Sequence, residues 1–90
     1  MVQAIVAPEE LRRFSSKLKE FKNGLNGMTT ALKGEFEQLG DTWKDREHDK
    51  FKEQFDETLN VIKKFMETSD EYASFLIRKA EAADEYLNRK

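Results

Sequence analysis

Ninety residues with no cysteine, a net charge of −2 and 38% charged residues make one small domain at most, with no disulfide framework and no thiolate metal site. The two signs of charge are interspersed, which excludes the basic face that nucleic acid or an anionic membrane surface requires. No apolar run approaches the ~18 residues of a membrane span. The opening Met1-Val2-Gln3-Ala4-Ile5-Val6 is apolar but short and lacks a basic flank, so it does not read as a cleavable signal peptide.

A first helix is predicted over about residues 8–39. Pro8 suits a first helical turn, and Glu9 and Glu10 suit the positive end of the helix dipole. Leucine recurs every seven residues at Leu11, Leu18, Leu25, Leu32 and Leu39, with Phe14, Phe21 and Met28 between. Spacings of three and four describe a seam for one partner helix, and Phe36 adds a stutter at its end. Gly24, Gly27, Ala31 and Gly34 share another face. They read either as a weak, kinked stretch or as a small-residue strip open to close approach by another backbone.

An elbow follows at 40–43. Gly40 suits the left-handed residue that ends a helix, and Asp41 or Thr42 can cap the next one, with Asp45 in a capping-box position. Trp43, the only tryptophan, stands where a large ring can cover the end of a two-helix seam. A connection this short makes the neighbouring helices antiparallel.

The second helix is predicted over about 43–88, since neither glycine nor proline occurs after Gly40. Phe55, Leu59, Ile62 and Met66 continue the seam toward Leu11, Phe14, Leu18, Phe21, Leu25, Met28 and Leu32 of the first helix. Val61, Phe65, Tyr72, Phe75 and Tyr86 fall on one flank. The apolar arc spans roughly 200°, twice what one core face needs, so the flank requires a further cover. At 1.5 Å per residue the helices measure about 48 and 70 Å, leaving the second overhanging. Val2, Ala4, Ile5 and Val6 have the reach to lie along Leu76, Ala80, Ala83 and Leu87 there.

Catalytic chemistry has little support. Asp45, His48 and Asp49 share a helix face, but one histidine with two carboxylates is a thin ligand set, and a solvated, charged first turn is the simpler reading. Ser15, Ser16 and Ser69 have no readable histidine–acid partner, and Gly24 and Gly27 follow no strand as a phosphate loop would. No catalytic residue, cofactor or metal is expected.

Length, the antiparallel pair and the segment Leu39-Gly40-Asp41-Thr42-Trp43-Lys44-Asp45 together resemble the WXG family, the bacterial helical-hairpin proteins of type VII secretion related to the early secretory antigenic target. The resemblance spans essentially the whole chain and includes Pro8-Glu9-Glu10-Leu11 and the Phe51/Phe55 entry to the second helix. It implies an all-α antiparallel hairpin that pairs, with itself or with a related hairpin, into a four-helix-bundle dimer. It also implies no enzymatic activity, and export by a signal-peptide-independent route, with a secretion ATPase or a larger toxin as further partners. The elbow residues are then Gly40, Trp43 and Asp45, and the pairing residues Val61, Phe65, Tyr72, Phe75 and Tyr86. Two departures stand out. Asp45 replaces the motif's glycine. Tyr86 is followed four residues later by Lys90, and Tyr72 by Leu76, where the family's export signal has an acid. A cytoplasmic adaptor or chaperone of the same fold is the alternative function.

Overall fold

The computed structural model describes residues 6–88. Two helices fill it: α1, Pro8–Leu39, and α2, Arg46–Asn88. They pack side by side as an antiparallel hairpin, the architecture read from the sequence. The principal extents are 69 × 23 × 14 Å and the radius of gyration is 20.3 Å, against about 12 Å for a compact domain of this length. A rod of two helices has almost no interior. Among the described residues only Ser15, Ser69, Ala73 and Ala80 are buried.

α1 starts at Pro8 because its missing N–H is one that the first turn leaves unpaired anyway. No side chain caps this end, and the Ala7 carbonyl accepts from the Glu10 and Leu11 amides. The helix runs without a break through Gly24, Gly27 and Gly34. A Cβ at any of the three would meet nothing within 4 Å, so these glycines face open space rather than α2.

The elbow departs from expectation in two ways. Gly40 is right-handed, with φ −63° and ψ −17°, not left-handed. The last carbonyls of α1 are instead satisfied by a tightening turn. The Gly40 amide donates to Phe36 and Glu37, Asp41 to Gln38, and Thr42 and Trp43 to Leu39. Such short-range bonds close a helix without positive φ. Second, α2 begins at Arg46 rather than near 43, because the cap is Asp45 itself. Its Oδ1 accepts the His48 amide at 2.9 Å, the bond of an N-cap to the third helical residue. The Thr42 hydroxyl points back and donates to the Leu39 carbonyl at 3.3 Å.

The seam also differs. Phe14, Phe21 and Met28 are 58%, 56% and 67% exposed, and Leu32 is half exposed. The positions turned toward α2 between the leucines are Ser15, Lys22, Thr29 and Phe36. Ser15 Oγ donates to the Ala73 carbonyl at 3.0 Å, Lys22 pairs with Asp70 at 3.4 Å, and Phe36 packs on Phe55. The register follows from size. Opposite Ala73 and Ser69, a small hydroxyl lets the backbones approach and finds an acceptor, where a phenyl ring would hold the helices apart. Leu11, Leu18 and Leu25 stay half buried, as do Phe55, Leu59, Ile62 and Met66 on α2. The seam thus tapers, with small residues at the open end and rings at the elbow. Of the N-terminal residues expected along the overhang, Val2, Ala4 and Ile5 lie outside the described residues. Val6 is half buried, at a hollow lined also by Leu11, Phe14 and Lys79.

Candidate functional site: elbow and apolar flank

At the elbow five rings converge. Phe36 of α1 stacks on His48 at 5.2 Å and 2° and tilts against Phe51 and Phe55 at 5.6 and 4.8 Å. Trp43 meets His48 edge-on at 5.0 Å and touches Phe51 at 5.9 Å. His48 is not part of a solvated first turn: its side chain is 15% exposed, and its Nε2 is buried with no hydrogen-bond partner. The ring enters because His48 lies seven residues before Phe55 and fourteen before Ile62, in the same column of α2. That column, read backwards through the first turn, is the signal that points to it. Asp45 is occupied as the cap and the His48 ring faces Phe36 and Trp43, so Asp45, His48 and Asp49 do not converge on a common point. Among the described residues no group of three His, Cys, Asp or Glu is placed to hold a metal.

Below the elbow the two sides of the rod differ. One side carries the cross-helix ion pairs Arg12–Asp84 and Lys22–Asp70. The Asp84 carboxylate, by its hydrogen bond, holds the Arg12 guanidinium above its ordinary pKa against the opposing effect of burial. The other side is apolar. Phe14, Phe21 and Met28 form its α1 half, and Val61, Phe65, Tyr72, Phe75 and Tyr86 its α2 half, all exposed. Phe21 and Phe65 join the halves edge to face at 6.0 Å. Phe14, Phe21 and Met28, placed in the seam by their spacing, belong to this flank instead. With about half of each ~200 Å² ring presented, the flank offers roughly 700 Å² of apolar surface. That exceeds what an ordinary monomer leaves exposed and approaches the ~800 Å² each partner buries in a standard interface.

Comparison with known proteins bears on this geometry. The model of WXG100, proteins of 100 residues with WXG, matches residues 3–86. The chain belongs to the WXG100 family. Its version of the WXG100 motif is Trp43-Lys44-Asp45, with the motif glycine replaced by the cap of α2. The WXG100 hairpin is similar to solved structures of the secreted protein EsxB from Bacillus anthracis str. Sterne. One, of an EsxB mutant, is 21% identical, covers 100% of this chain and 99% of that one, and superposes with a TM-score of 0.80. The wild-type protein is 21% identical, with 91% of this chain and 94% of that one covered and a TM-score of 0.79. A second mutant is 20% identical, with 93% and 97% covered and a TM-score of 0.81. At this identity the likeness speaks for the fold. A sequence search of curated proteins finds no match.

Proposed function

We propose that this chain is a non-enzymatic hairpin protein of type VII secretion, a substrate or carrier, that works by pairing its apolar flank with a second hairpin into a four-helix bundle. The observation that carries this reading is the continuous exposed stripe from Phe14, Phe21 and Met28 to Phe65, Tyr72 and Phe75. A two-helix rod with four buried residues gains most of its stabilising burial only when such a stripe is covered. The elbow cluster fixes the angle at which the helices leave the turn and so shapes the stripe. A secretion ATPase or a larger toxin is a further partner of the assembled pair, and family membership supports it.

The test is the assembly state. Tyr72→Glu with Phe75→Glu is expected to give a helical, soluble monomer by light scattering where the unaltered chain associates. Unchanged association of the double variant refutes the flank as pairing surface. A second reading, a cytoplasmic adaptor of the same fold, is favoured by Lys90 standing where the family's export signal carries an acid after Tyr86. Fractionating the host separates the two: recovery from the medium supports export, and confinement to the cytosol supports the adaptor.

A further inference from the structure

We propose that the partner on the apolar flank is a second copy of this chain, laid antiparallel and centred between residues 67 and 68 of α2. The proposal rests on the reading of the flank as a pairing surface and adds who the partner is and in what register it binds. It is carried by a ladder of charge at the flank's outer edge. Lys50, Glu57, Lys64, Glu71, Arg78 and Glu85 recur every seven residues, alternate strictly in sign and are all exposed. Glu57 and Glu71 stand four residues before Val61 and Phe75, one turn away, so the ladder borders the apolar face directly.

Six alternating charges reverse into their own complement. Turned end for end, the ladder sets Lys50 opposite Glu85, Glu57 opposite Arg78, and Lys64 opposite Glu71. Parallel in-register copies set like on like, and so does an antiparallel slip of seven residues. The apolar positions obey the same reversal to within one residue. Phe65 falls opposite Tyr72, Val61 opposite Phe75, and Phe51 opposite Tyr86, while Thr68 meets its own counterpart. The centre of symmetry coincides with the middle of α2, which runs from Arg46 to Asn88, so this register covers the helix from end to end. A twofold interface demands that if residue i meets j, then j meets i. A helix face that reads alike in both directions answers that demand, whereas an unrelated partner places no such condition on the sequence. Two copies would cover roughly 1,400 Å², within the range of a stable specific interface.

The experiment uses charge reversal and sedimentation velocity on the full chain at low salt. Lys64→Glu sets like charges opposite each other at two symmetry-related places, and self-association should weaken about tenfold. Glu71→Lys alone should do the same. The double variant Lys64→Glu/Glu71→Lys restores complementarity and should dimerise like the unaltered chain, as should an equimolar mixture of the two single variants. The weakening should fade at about 1 M salt, where the Debye length is ~3 Å. Far-UV circular dichroism confirms that each variant is helical. Single variants that associate normally, or a double variant no better than the singles, overturn the proposal. A chain monomeric at high micromolar concentration that still captures a related hairpin through Tyr72 and Phe75 also overturns self-pairing, yet leaves the proposed function standing. Association indifferent to Tyr72 and Phe75 overturns both.

Discussion

Replacing Asp45 tests how the elbow tolerates losing its family glycine. The Asp45 carboxylate accepts one bond, from the His48 amide at 2.9 Å, and places a negative charge at the start of α2. An N-cap changed to alanine costs about 1 kcal/mol, and the lost helix-dipole interaction adds about 0.3–1 kcal/mol. Asp45→Ala is therefore expected to cost about 1.5 kcal/mol. Asp45→Gly should cost less, a few tenths for the cap plus the dipole contribution, because glycine leaves the amides open to water. Asp45→Asn keeps the bond and loses only the charge. At 4–8 °C per kcal/mol for a domain of this size, Asp45→Ala should lower Tm by about 6–12 °C, with the order of loss Asn, then Gly, then Ala. Thermal unfolding by far-UV circular dichroism at one fixed protomer concentration reads this series, since association alters apparent stability. An unchanged Tm for Asp45→Ala, or a larger loss for glycine than for alanine, would refute the assignment of Asp45 as the cap.

Two other substitutions probe the same turn. Gly40→Ala should change stability by no more than about 0.5 kcal/mol in a urea titration, because right-handed φ and ψ suit alanine; a loss above about 1 kcal/mol would mean a left-handed residue. His48→Ala removes a ring stacked on Phe36 and edge-on to Trp43. At this partly exposed end of the seam it should cost about 1–2 kcal/mol and shift Trp43 emission to the red, and an unchanged midpoint and spectrum would count against the cluster.

The hairpin was legible because long heptad spacing, Pro8 at one end and Gly40 at the turn all agree on two helices. The face that each ring occupies was not. Leu11, Leu18 and Leu25 lie on the border between seam and flank, so a seam can be drawn with Phe14, Phe21 and Met28 or with Ser15, Lys22 and Thr29. Hydrophobicity favours the first choice, but close packing against Ser69 and Ala73 selects the second. A hydroxyl that bonds a facing carbonyl outweighs ring burial only once the opposite helix is known. His48 was hidden for a related reason: its charged neighbours suggested a wet turn, while its place in the column of Phe55 and Ile62 put it inside. The flank residues of α2 were readable because the arc was too wide for one partner, an argument from angle that needs no knowledge of register.

The ion pairs Arg12–Asp84 and Lys22–Asp70 lie on one side of the rod only, and this limits how large an assembly can grow. A hairpin sticky on both sides would stack without end into a filament. Here the side turned away from a partner is charged and hydrated, so the first pairing exhausts the adhesive surface. Growth stops at a closed unit of two hairpins whose outer faces stay in water.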